Sequence, residues 1–156
     1  MNAGKDPADP LHAPFRPRRV RIVVWVLGGI EVGVLLALAA FLPDTGPVAF
    51  HWPDRLGVVL VAALIAFTLS RFARLEAVPG TSGLRVRNVV FTRRLAWAEI
   101  VSVQFGGGNP WAQLDLTDGD TLAVMAVQRA DGERAVSEAR RLATLVALHS
   151  RTERDD

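Results

Sequence analysis

With 156 residues, the chain is long enough for one ordinary domain, or for a small domain carrying membrane anchors. It has no cysteine, which excludes disulfides and thiolate metal sites and leaves the redox compartment unreadable. Net charge is +2, and although 17 arginines lift the pI to about 10.3, the 16 acids are interspersed among the basic residues, so the basic stripe of a nucleic-acid binder is missing.

Residues 1–19 hold Pro7, Pro10, Pro14 and Pro17 among small and charged residues, which predicts a disordered tail. Residues 20–72 follow as a two-span unit. Its first block, Ile22 to Leu42, has 21 residues, roughly 32 Å as a helix, against a hydrocarbon core of about 30 Å. Thirteen of the 21 are Ile, Leu, Val or Phe and favour insertion by about 4–8 kcal/mol. Glu31 opposes insertion by about 3 kcal/mol, so the block inserts despite its acid. The link PDTGPVAFHWPDR, with three prolines, a glycine and Trp52, predicts a tight turn at a membrane surface. Leu56 to Phe72 is the second block, 17 residues and roughly 25 Å, with Arg71 snorkelling to the interface.

Arg16, Arg18, Arg19 and Arg21 precede the first block, and Arg71 and Arg74 close the second. The link has Arg55 alone, against Asp44 and Asp54. The positive-inside rule therefore puts both termini in the cytoplasm of a multi-pass cell-membrane protein. Ala37-Leu38-Ala39 resembles a signal-peptidase site, but the long proline-bearing leader and the acid in its apolar core argue against cleavage.

Gly29, Gly33 and Ala37 recur every fourth residue, and Ala62, Ala66 and Ser70 repeat that spacing, so these small faces are expected to form the seam of the hairpin. At 100° per residue Glu31 lies about 200° from Gly29 and about 160° from Gly33, which points it away from the partner helix. No basic residue lies deep in the second block to meet it. Glu31 is then either a contact to another subunit or membrane protein, or an acid tolerated by local water and lipid deformation. A proton pathway is the weaker reading, because two spans form no conduit.

From Leu75 the pattern changes to short strands. In EAVPGTSGLRVRN a turn at residues 79–83 is followed by alternation, Leu84 and Val86 one way and Arg85 and Arg87 the other. VVFTRRLAWAEI runs as a strand into Trp97, with Glu99 either opening a strand or capping a turn, and IVSVQF is a strand ended by Gly106-Gly107-Gly108. WAQLDL and TLAVMAV flank Asp118-Gly119, a hairpin signal of the I′ type. Asp131 then resembles the N-cap of a helix from Gly132 to about His149, with an apolar stripe of Ala135, Val136, Ala139, Leu142, Ala143 and Val146 and an Arg134–Glu138 pair on the wet side. Residues 150–156 are expected to be a disordered tail. Six strands and a helix in this order predict a small, partly open barrel over residues 75–149.

The run GLRVRNVVFTRRLAWAEIVSVQFGGGNPWAQLDLTDGDTLAVMAVQ, followed by DGERA, resembles the actinobacterial family of bacterial PH-like domains. The features that carry the resemblance are GLRVRN, the W-A-E-I step at Trp97 to Ile100, Pro110-Trp111 and the Asp-Gly hairpin. The resemblance implies a fold of class α+β: a two-helix transmembrane hairpin followed by a PH-like split β-barrel capped by a C-terminal α-helix. It implies no established substrate and carries over no functional residue.

Catalysis finds little support. His12, His51 and His149 are expected in the tail, the outer loop and the helix end, apart from one another, and no nucleophile or paired-histidine motif is present. DLTDGD lacks the spacing of a calcium loop, and GGGNP is followed by a strand rather than a helix, so it is a turn and not a phosphate cradle. No cofactor or metal is expected. Trp97 and Trp111 are expected in the core or at the barrel rim. Arg85, Arg87, Arg93 and Arg94 either form a diffuse lipid-facing patch or an ordinary solvated strand face. The first hairpin turn, PGTSG, has no basic residue, unlike phosphoinositide-gripping PH domains. These features describe a non-enzymatic scaffold or adaptor at the cytoplasmic face, whose partners are the bilayer, a membrane or envelope protein and a second copy of the chain, with no nucleic acid. Two alternatives stand beside it: a sensor of anionic lipid headgroups, and an accessory subunit of a membrane complex.

Overall fold

Apolar side chains on every face fill two helices, α1 (Arg18–Phe41) and α2 (Trp52–Ala73), in a computed structural model that describes residues 10–43, 45, 46 and 49–152. Val20–Ala73 forms one compact unit, and the described residues before and after it form the other. α2 opens with Pro53 in its first turn, and the Asp54 carboxylate accepts from the His51 N–H at 3.0 Å, closing that turn. α1 has no basic residue in its own last turn. Arg55 supplies one: its guanidinium donates to the carbonyls of Ala39 at 2.7 Å, Ala40 at 3.2 Å and Leu42 at 2.6 Å. The loop's lone arginine is thus the C-terminal cap of α1, where a cation also suits the helix dipole. Arg55→Gln is expected to destabilise the hairpin by about 1–2 kcal/mol, measured as a lower SDS-unfolding midpoint in mixed micelles.

The seam between α1 and α2 is one residue away from the expected face. Gly28 and Ala39 are buried on α1 with Val24, Val32 and Leu35 half-buried beside them, and Ala62 is buried on α2. A Cβ on Gly28 would overlap Leu69 Cδ1, whereas one on Gly29 or Gly33 would meet nothing within 4 Å. Gly29, Gly33, Ala37 and Ala66 are exposed and Ser70 is half-buried, so Ala62 alone of the six expected residues is buried in the seam. Leu69, inserted against Gly28, decides the register. Glu31 is exposed and, three residues from Gly28, sits about 60° to one side of the seam rather than opposite it.

In the second unit, β1 (Glu76–Pro79), β2 (Gly83–Arg87) and β3 (Thr92–Ala96) make one antiparallel sheet, and β4 (Ile100–Gln104), β5 (Trp111–Leu116) and β6 (Thr121–Gln128) make another. The alternation expected at Leu84 and Val86 holds, and Ala112, Leu114 and Leu116 on β5 and Leu122, Val124 and Ala126 on β6 point into the same core. A Cβ on Gly83 would overlap the Leu95 carbonyl oxygen, so glycine lets β2 approach β3 there. The one-turn 3-10 helix Trp97–Glu99 joins the sheets, and the Glu99 carboxylate accepts from the Ala96 N–H at 2.6 Å, capping the turn. α3 (Glu133–Thr152) covers the open end with Ala135, Ala139, Leu142, Leu145 and Val146. Val136 and Ala143, expected in that stripe, are exposed, and Leu145 takes the place on the core side that the 3.6-residue period requires.

Several local expectations are corrected. Residues 10–17 are an ordered arm and not a disordered tail: Phe15 is 0% exposed in the core with Leu11 packed against it, and its N–H and C=O pair with Ala77 at 2.8 and 3.1 Å. Residues 1–9 of that expectation lie outside the described residues. Ser150–Thr152 continue α3, and residues 153–156 lie outside the described residues. The Asp118-Gly119 turn is not type I′, which needs positive φ at both central residues; Gly119 alone has it, at 86°, and accordingly the loop is a turn from Leu116 to Gly119 with a glycine bulge. Asp131 does not cap α3. Its carboxylate accepts from the Arg18 and Arg19 N–H groups at 3.0 and 2.9 Å, satisfying two of the donors that open α1.

Candidate functional site

Glu76, the first residue of β1, collects cations. Arg85 on the neighbouring strand lies 3.3 Å from its carboxylate and Arg87 3.7 Å, and Arg16 reaches it from the N-terminal arm at 3.3 Å. Arg94 stands opposite Arg85 in the β2–β3 register and is exposed on the same outer face. Four guanidinium groups therefore share one sheet face with one carboxylate, a local positive surplus. Each pair is half-exposed and worth at most about 1 kcal/mol to folding.

Three of the four arginines expected as a patch are thus brought together. Arg93 is not among them: it lies opposite inward-facing Val86 and turns to Asp118 at 3.5 Å. Arg16 and Glu76 were missed by sequence reasoning, because nothing local links a residue before the first apolar block to a strand after the second.

The arm that carries Arg16 is held by α3. Arg141 Nη1 donates to the carbonyls of Pro10, Leu11 and Ala13 at 3.0, 2.9 and 2.7 Å, and its guanidinium lies 3.7 Å above the Phe15 ring. Glu138 holds Arg141 from beneath at 2.6 Å, more closely than the expected partner Arg134 at 3.4 Å. The arm lies against β1 through one antiparallel bridge, Phe15 with Ala77, at that edge of the sheet.

Away from the arginine face, Trp97 is buried, donates from Nε1 to the Gly80 carbonyl at 3.0 Å and stacks on His149 at 4.4 Å between ring centroids. His12 meets His149 edge-on at 6.0 Å, so two of the three histidines expected apart are brought together by the arm. Trp111 is half-buried at the start of β5. On the outer face of the second sheet, the Ser102 hydroxyl and the Gln104 amide donate to Asp115 and hold its carboxyl below the ordinary aspartate value. Asp118 is engaged with Arg93 and accepts from the Asp120 N–H at 3.0 Å, the geometry of a hairpin turn rather than of a cation loop. Among the described residues no three His, Cys, Asp or Glu side chains converge as metal ligands. This surface offers ion pairing and strand edges, and so suits binding.

Three mycobacterial proteins are similar to this chain: the uncharacterized proteins Rv1417 and MT1460 of two Mycobacterium tuberculosis strains, and Mb1452 of Mycobacterium bovis. Each is 35% identical over 102 residues, which cover 65% of this chain and 66% of the relative, a little under two thirds. No solved structure matches. Residues 73–144, all six strands and most of α3, match the family model described as Bacterial PH domain. With that match, the mycobacterial relatives and two three-stranded sheets capped by a helix, residues 73–144 form a domain of the bacterial PH type.

Proposed function

We propose that the protein is a non-enzymatic interaction module fixed to the cytoplasmic face of the cell membrane by the α1–α2 hairpin, where it acts as a scaffold or adaptor for another membrane or envelope protein. One observation carries the anchoring: Phe15, which precedes α1, is 0% exposed in the core of a domain that follows α2. A chain whose two ends fold together must have both on one side of a membrane, so the apolar segment between them crosses an even number of times. The same residue opposes removal of α1 as a signal, since cleavage would strip the domain of part of its core. Nor do α1 and α2 resemble core helices of a water-soluble protein, because only 11% and 6% of their most apolar stretches are buried. The cytoplasmic side follows from arginines that flank the outer ends of the pair, while the link's Arg55 is committed to capping α1.

The test is photo-crosslinking in intact cells from the described surface of the domain and from Glu31, followed by identification of the captured chains. A scaffold yields a recurring protein partner, and Glu31→Leu removes the partners captured in the bilayer. Recovery of lipid and self-adducts alone would refute the adaptor role. The arginine face of Arg16, Arg85, Arg87 and Arg94 favours a second reading, a sensor of anionic headgroups. In that case amide exchange in β2 and β3 slows as the anionic fraction of nanodiscs rises, and Arg85→Glu with Arg87→Glu abolishes the response.

A further inference from the structure

The turns of this domain differ in composition. Pro79–Gly83, Gly106–Pro110 and Thr117–Asp120 are built from glycine, proline and small polar or acidic residues, as turns in water usually are. The turn between β2 and β3 is Asn88-Val89-Val90-Phe91, with Val90 81% and Phe91 48% exposed. Its base is rigid: Asn88 is buried and donates to the Ala123 carbonyl at 2.7 Å while accepting from the Met125 N–H at 3.2 Å. An apolar tip is therefore presented to the surroundings on a fixed stem.

Sheet register places that tip. Glu76 pairs with Arg87, and Arg87 pairs with Thr92, so the turn lies at the end of the sheet where β1 begins. Arg74 and Leu75 alone separate β1 from α2. The arm runs antiparallel to β1, pairs at Phe15 and Ala77, and passes through Arg16 and Pro17 into α1 at the same end. Both connections to the hairpin thus leave from the end that carries Val90 and Phe91. The β1–β2 turn is at the other end, about 13 Å further along at roughly 3.3 Å per residue. Arg74 and Arg87 lie at this end with Arg94 further along β3, and the nearby acids are outnumbered: Glu76 is met by Arg16, Arg85 and Arg87, and Asp118 by Arg93.

We infer that the β2–β3 turn inserts Val90 and Phe91 into the anionic lipid interface of the bilayer crossed by the chain's own two helices, with the surrounding arginines at headgroup level. This rests on the proposed membrane anchoring and adds a third membrane contact to it. Apolar side chains suit the acyl boundary and arginines the phosphates, a pairing that a purely aqueous surface does not reward. The contact fixes the domain's tilt and turns the end bearing Gly80–Ser82 and Trp97 away from the lipid, leaving it to protein partners.

The absence of cysteine makes the test direct. Val90→Cys, Ser82→Cys and Leu64→Cys, made singly in the full chain, are labelled with an NBD fluorophore. Each is placed in phosphatidylcholine–phosphatidylglycerol nanodiscs with and without nitroxide-labelled lipid. The Val90 label is expected to emit to the blue of the Ser82 label and to be quenched nearly as strongly as Leu64 in α2, and Phe91→Ser should reduce both effects. Quenching at Leu64 with Val90 behaving like Ser82 would overturn the inference and spare the anchor. Absence of quenching at all three would overturn both. A blue shift at Val90 without nitroxide quenching would mean that a protein surface covers the tip, which also overturns insertion into lipid.

Discussion

Phe15→Ala is expected to destabilise the PH-like domain by about 3–5 kcal/mol, among the largest losses a single core truncation gives. The ring is 0% exposed, lies in the cluster formed by both sheets and α3, and is covered by the Arg141 guanidinium 3.7 Å from its centre. Removing it leaves a cavity, removes the cation–π contact and loosens the arm, whose Pro10, Leu11 and Ala13 carbonyls accept from Arg141 Nη1. At about 4–8 °C per kcal/mol for a domain of this size, the melting temperature should fall by at least about 12 °C. The measurement is thermal unfolding of the full chain in nanodiscs, followed by the near-ultraviolet circular dichroism of a Trp25→Phe, Trp52→Phe background that keeps only the domain's Trp97 and Trp111. Conversely, a fragment starting at residue 75 should be as unstable as the variant, and linking residues 10–17 to its N-terminus should restore it. An unchanged melting temperature in Phe15→Ala would mean that the arm is not part of the fold, and the argument that both chain ends share one side of the membrane would fall with it.

What the sequence made legible and what it hid follow from how far each cause reaches along the chain. β2 was legible because Leu84 and Val86 alternate with Arg85 and Arg87 within a few residues, and the two apolar blocks because length and composition suffice. Residues 89–91, expected to open the next strand, instead form the turn before β3. Glu99 was half legible: the sequence offered a strand start or a turn cap, and the Ala96 N–H three residues away makes it the cap. Phe15 was hidden: one aromatic among prolines has no periodicity, and its place is set by Ala77 and Arg141, both distant in sequence. The prolines that suggested disorder also suit an edge strand, which needs few N–H donors. Asp131 sits where a helix cap belongs, yet its oxygens serve N–H groups more than a hundred residues earlier. In the hairpin, two adjacent glycines offered two registers. The rule for small residues cannot choose between them, because the choice lies in the path of Leu69 on the other helix. The arginine face was half legible: Arg85, Arg87, Arg93 and Arg94 were grouped, but Arg93 leaves for Asp118 and nothing local showed the Glu76 carboxylate among the rest.

Asn88→Leu should cost about 2–4 kcal/mol despite its similar volume, because it strands two buried backbone groups at once. The reason lies in the β5–β6 ladder. Ala112 pairs with Val124 but Trp111 with Gln128, so Met125, Ala126 and Val127 bulge away from β5. The Asn88 amide fills that gap from the other sheet, accepting from Met125 N–H and donating to Ala123 C=O, and so takes the place of a strand partner. Asparagine suits the task because it offers a donor and an acceptor on one planar group. Asn88→Asp therefore does not rescue: it keeps the acceptor for Met125 but sets a carboxylate against the Ala123 carbonyl. Amide exchange gives the discriminating readout, with the Met125 N–H losing protection before the strand interiors in Asn88→Leu and keeping more of it in Asn88→Asp, where an acceptor remains. Retained protection at Met125 in Asn88→Leu would refute the bridging role. Because the same side chain forms the base of the Val90–Phe91 turn, its loss should also loosen that tip. A Val90 label in an Asn88→Leu background should then show weaker lipid quenching while the label at Leu64 is unaffected, which ties closure of the barrel to the way the domain meets the membrane.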